Sequence, residues 1–193
     1  MQSLKTLTGI FVLAFAMGSA ALAGPVSYSA VLSGPAEFPQ NASPGTGTAT
    51  IIIDTIAHTL SLSTSFTGLT AGTTAAHIHC CTATPGTGAA GVATPNPGFP
   101  TGVTSGSYFH VYDMSLASSF GGAFIASNGG TPAGAEAALA AGLAAGRAYF
   151  NIHSSTFPGG EIRGFPTEDV PEPATMVLTG LALAGLALRR RLV

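Results

Sequence analysis

The chain has 193 residues, and only 7% of them are charged while 46% are hydrophobic. Between residues 24 and 170 two arginines face seven carboxylates, a net charge of −5, which excludes the basic footprint that nucleic-acid binding requires. The same balance excludes disorder, which goes with low hydrophobicity and high net charge, and two cysteines are too few for a disulfide-framework fold.

The N-terminus predicts an export signal over residues 1–23. Lys5 supplies the positive start, an apolar run GIFVLAFAMGSAALA follows, and it ends in Ala21-Leu22-Ala23. Small residues at Ala21 and Ala23 fit the small-x-small rule for signal cleavage, so Gly24 is the expected first residue of the mature chain.

The segment 24–169 predicts one domain with its own core. Val26 to Leu32 alternates apolar and small polar residues and reads as a strand. A turn-rich stretch dense in Pro and Gly follows. Thr48 to Asp54 is β-branched, Thr59 to Phe66 alternates strictly, and the two are expected to form an antiparallel hairpin. Ala75 to Cys80 begins another strand. The Gly/Pro-rich stretch after Cys81 reads as one long loop, either functional or mobile. Ser107 to Tyr112 is strand-like.

The segment after Asp113 is weakly helical and stops at Asn128-Gly129-Gly130. Thr131-Pro132 read as the N-cap and first turn of a second helix, with Gly146 as its C-terminal cap. Arg147 to His153 and Glu161 to Phe165 read as closing strands joined at Pro158-Gly159-Gly160. The expected fold class is mainly β, an antiparallel β-sandwich with short helical insertions.

The C-terminal segment 170–193 carries Val170, Pro171, Glu172 and Pro173, then an apolar run from Ala174 to Leu188, then Arg189, Arg190 and Arg191. The run predicts a hydrophobic helix, shorter than the ~20 residues of a comfortable membrane span. The arginines place it with the body of the chain outside the cytoplasm. This tail resembles the PEP-CTERM sorting signal of Gram-negative bacteria. The resemblance implies an exosortase-type processing enzyme as partner, transient anchoring in the inner membrane, and delivery to the cell surface or the exopolysaccharide matrix.

Three body segments resemble the CHRD, or chordin-type, domain: Tyr28 to Ile51, AAHIH from Ala75 to His79, and GRAYFNIHSSTFPGGEIRG from Gly146 to Gly164. That resemblance implies an immunoglobulin-like or similar β-sandwich without established catalytic activity. With the tail, it leads to the expectation of an exported, non-enzymatic binding or structural module. An extracellular polysaccharide or a surface protein is the expected partner.

Chemistry-bearing residues concentrate in AHIHCC, Ala76 to Cys81. On a strand, His77 and His79 face one way. With His153 from another strand, three imidazoles could converge as ligands for zinc or copper. The alternative is a neutral, hydrogen-bonded cluster that joins structural elements. Cys80 and Cys81 are adjacent, so either a vicinal disulfide or thiolates added to a metal site is open to them. Glu161 and Arg163 share a strand face as a structural polar pair. Gly86, Gly88 and Gly91 match a dinucleotide fingerprint by letter, but no helix pattern follows. No G-x-S-x-G is present, so the sequence names no catalytic residue.

Overall fold

The computed structural model describes residues 24–169. The signal segment with Ala21 and Ala23, and the tail with Val170 to Pro173 and Arg189 to Arg191, lie outside the described residues. So does the expected C-terminal hydrophobic helix. Among the described residues no helix is long and apolar enough to cross a membrane.

The body is mainly antiparallel β. Its strands are β1 (Val26–Ser33), β2 (Thr46–Asp54), β3 (Thr59–Thr67), β4 (Thr73–His79), β5 (Val92–Pro95), β6 (Gly106–Asp113), β7 (Tyr149–Ser154), β8 (Ile162–Gly164) and β9 (Thr167–Glu168). Two α-helices, α1 (Gly122–Ser127) and α2 (Pro132–Ala144), fall between β6 and β7. The strands form one hydrogen-bonded sheet in the order β5-β4-β7-β8-β1-β2-β3-β6, with β9 also paired to β1.

Alternation in the sequence becomes alternation of burial. In β2, Ala49, Ile51 and Ile53 point into the core. In β3, Leu60, Leu62 and Phe66 do the same. The hairpin register runs from Thr46↔Thr67 to Asp54↔Thr59, and a one-residue slip would turn both apolar rows outward. Asp54 tightens the connecting turn by accepting from the backbone N–H groups of Ile56 and Ala57, both at 2.9 Å.

The sheet curls until its two end strands approach each other. Tyr112 of β6 donates its hydroxyl to Asn96, just past β5, at 2.6 Å. Tyr108 donates to the Pro97 carbonyl at 2.9 Å. The enclosed face collects Leu32, Ile51, Leu60, Leu62, Ile78, Phe150, Ile152 and Ile162 into one apolar cluster, which also holds Phe124 of α1 and Leu139 and Leu143 of α2. Each fully buried Leu, Ile or Phe contributes about 1.5–3 kcal/mol relative to exposure.

The start and stop of α2 follow its sequence signals. Thr131 Oγ1 accepts from the Gly134 N–H at 3.1 Å, Pro132 opens the first turn, and Gly146 takes φ +63° just beyond the last turn.

Two strands differ from the sequence expectation. β5 lies inside the stretch read as loop, because four residues ending in Pro95 carry too little alternation to announce a strand. β9 has only two residues, and its pairing with β1 arises from tertiary proximity. The result is a clasp at the end of the domain. The Asp169 N–H donates to the Ser27 carbonyl at 2.8 Å, and its carboxylate accepts from the hydroxyls of Ser27 at 2.6 Å and Ser29 at 3.0 Å.

Candidate functional site

In β4, β7 and β8 one side-chain row belongs to the core: Ala76, Ile78, Phe150, Ile152 and Ile162. The alternate row carries His77, His79, Tyr149, Asn151, His153 and Arg163. Period two thus places polar groups of three adjacent strands on one outer face. The register sets His77 opposite Asn151 and Asn151 opposite Arg163, with His153 opposite Ala75.

That face is nonetheless buried, because loops cover it. His79 Nδ1–H donates to the Ala90 carbonyl at 2.9 Å, and His153 Nδ1–H donates to the Pro158 carbonyl at 2.9 Å. Arg163 donates to the carbonyls of Ala36 and Gly88. β7 and β8 are consequently buried on both faces.

The structure brings together the three histidines singled out in the sequence. One ring nitrogen of each lies within 4.8 Å of the others. His77 Nδ1 is 3.1 Å from His153 Nε2. Ring centroids are 5.0 Å apart for His77 and His153, 5.5 Å for His77 and His79, and 6.2 Å for His79 and His153. The His79 ring stacks flat on Tyr149, with centroids 4.8 Å apart and 1° between planes.

Hydrogen bonding fixes the tautomers. A carbonyl only accepts, so Nδ1 of His79 and of His153 each carries the proton, and Nε2 keeps the lone pair. His77 then donates from Nδ1 to His153 Nε2. Among the described residues, His79 Nε2 is buried without a hydrogen-bond partner. An unmet buried acceptor of this kind costs about 1–3 kcal/mol. Burial lowers the pKa of all three imidazoles, and in His77, helped by the neighbouring His153 and His79, it falls to about 4. The cluster is therefore neutral at pH 7.

Around the histidines lies a second set of buried polar groups. The Arg163 guanidinium packs over the rings of Tyr149 and Phe165, at 4.7 and 5.2 Å. Glu37 approaches Arg163 at 3.7 Å. Burial pushes the Glu37 carboxyl up to about 7 despite that arginine. Glu161 and Arg163 are both buried, yet each has partners other than its neighbour. Glu161 precedes β8, and its carboxylate accepts from the Ser43 hydroxyl at 2.7 Å and from the Thr70 N–H and hydroxyl at 2.6 and 2.7 Å. Burial works to raise its pKa, but bonds from Ser154, Thr70 and Ser43 prevail and lower it.

Cys80 and Cys81 are bonded to each other and turned towards α2, where both sulfurs lie near the Ala138 carbonyl. They are no part of the histidine group. Sequence reasoning missed Glu37, Tyr149 and Asn151. Tyr149 and Asn151 were available from the alternation of YFNIHS, four and two positions before His153. Glu37 had no signal, since its place beside Arg163 is set by a turn.

A family model described as CHRD domain matches residues 28–165. The chain belongs to the CHRD family. Its histidine cluster lies wholly within the CHRD match, and the Ser27–Asp169 clasp brackets it. A second model, the PEP-CTERM protein-sorting motif, matches residues 169–191. This CHRD protein thus carries a sorting signal of exported proteins handled by an exosortase, with a surface or extracellular destination. No curated protein and no solved structure matches the chain.

Proposed function

We propose that this CHRD protein is a non-enzymatic binding or structural module held at the cell surface or in the exopolysaccharide matrix after exosortase processing. The observation that carries the reading is the abutment of body and signal. β9 ends at Glu168, Asp169 is clasped to Ser27, and the sorting match begins at residue 169. The folded body and the sorting match thus adjoin in the sequence.

The curled sheet serves as the two packed layers of an immunoglobulin-like sandwich. Its histidine cluster extends from the middle of the sheet towards the end opposite the clasp. His153 is level with Glu161 and His79 with Phe165, eight and four positions before Asp169 along the β8–β9 direction. At about 3.3 Å per strand residue the two histidines lie roughly 26 and 13 Å from the clasped end along the strands. A polysaccharide or surface protein reaches the distal pole, while the inner membrane and the processing enzyme act at the other. Under the alternative reading, the same pole makes the chain an exported zinc- or copper-binding protein, with redox activity as one form of it.

The test compares the full chain with one ending at Asp169 by cell fractionation. Loss of the truncated protein from the surface or matrix fraction, with its melting transition intact, supports the reading. Identical distribution of the two forms would falsify it.

A further inference from the structure

We propose that His77, His79 and His153 bind one zinc or copper ion, His79 and His153 through Nε2 and His77 through Nδ1. The donor set is three neutral imidazoles, and no carboxylate belongs to the group among the described residues. Such a set suits zinc and copper, whereas calcium and magnesium take oxygen ligands.

The surroundings of two of the rings are those of a metal ligand. His79 and His153 each donate Nδ1–H to a backbone carbonyl, of Ala90 and Pro158. That second bond fixes the ring and turns the Nε2 lone pair inward. The His79 lone pair is buried and has no donor within hydrogen-bond distance among the described residues; the Asn151 side chain beside it leaves its own Oδ1 unpartnered too, so the two do not satisfy each other.

The spacing also fits. Metal–nitrogen bonds of about 2.0–2.1 Å set neighbouring ligand nitrogens about 3.3 Å apart in a tetrahedral site. His77 Nδ1 and His153 Nε2 are already 3.1 Å apart. The widest separation, within 4.8 Å, must close by about an ångström or more. The ring centroids are farthest apart for His79 and His153, at 6.2 Å, so those two rings turn towards each other while His77 shifts to complete the set. His77 is half-buried, and among the described residues its one side-chain hydrogen bond is to His153.

On binding, the His77 proton moves from Nδ1 to Nε2 and the bond to His153 Nε2 is replaced by two bonds to the ion. No net proton leaves the cluster. Three protein ligands leave a fourth position for water or an outside donor, as in open zinc sites.

The test uses full-length protein purified from its exported fraction without a histidine tag. Wild type, His79→Gln, His153→Gln and His110→Gln are equilibrated with zinc, copper or cobalt(II), desalted and assayed for metal per chain. Expected are one ion per chain in wild type and His110→Gln, a loss of tenfold or more in the other two, and the intense visible bands of four-coordinate cobalt. Metal retained by His79→Gln or His153→Gln overturns the assignment. So does wild type that keeps no ion and shows no such bands, which leaves a hydrogen-bonded cluster holding water. Should either cluster variant not fold, the wild-type cobalt spectrum decides alone. Metal binding is read independently of sorting, so truncation at Asp169 tests the proposed surface role separately.

Discussion

Gly142 of α2 is seated directly against the sulfur of Cys80, so close that a Cβ at that position would overlap both it and the Cys81 sulfur. The contact docks the helix just past the end of β4, on the residue that follows His79. A glycine in a helix interior ordinarily costs about 1 kcal/mol relative to alanine. Close approach of the bonded cysteines is the physical reason for it here.

Gly142→Ala is therefore expected to destabilise the fold by about 1–3 kcal/mol, the cost of overpacking, in spite of alanine's better helix propensity. Denaturant titration measures it. A variant as stable as wild type or more so would show that α2 has room to shift.

The N-cap of the same helix makes a second prediction. Thr131→Ala removes the acceptor for the Gly134 N–H and is expected to cost about 1 kcal/mol. Thr131→Ser keeps the hydroxyl and should recover most of it. Equal losses in both variants would argue that the hydroxyl is not what matters.

Glu37 predicts a pH dependence. Its carboxyl titrates near 4.5 when unfolded and near 7 in the fold, where burial opposes ionisation and Arg163 and Asn151 oppose that effect. The folded state binds the proton more tightly. The contribution to stability is full below pH 4.5 and is lost as pH rises through 7. Glu37→Gln lacks this loss, so its melting temperature relative to wild type should rise between about pH 4.5 and pH 8. The lowered histidines act in the opposite direction but are common to both proteins and cancel. A constant offset across that range would contradict the buried, proton-holding Glu37.

The Asp169 clasp can be cut without touching the core. Asp169→Ala removes acceptors for two serine hydroxyls, and the expected loss is roughly 1 kcal/mol, about 2–4 °C in melting temperature. Faster hydrogen exchange confined to the first residues of β1 should accompany it. Exchange unchanged at Ser27 and Tyr28 would mean that β9 holds without the side chain.

Much of this architecture was legible because alternation is a local signal. The β2–β3 hairpin, the helix opened by Thr131-Pro132, and the shared face of His77 and His79 need only nearest neighbours and the period of the backbone. The convergence of His153 with that pair was expected only on condition that its strand lay beside β4, and the β4–β7 register supplies this. What was not legible depends on distant pieces of chain. The partners of Glu161 come from residues 43 and 70, and the carboxylate near Arg163 comes from residue 37. β9 exists only because β1 is there to receive it.

A domain whose first and last residues lie side by side enters and leaves the polypeptide at a single point. Such a unit behaves as a cassette. Spliced into an exposed loop of a larger protein, it would spread that loop by little more than the width of two paired strands, about 5 Å, and leave the host's own fold undisturbed.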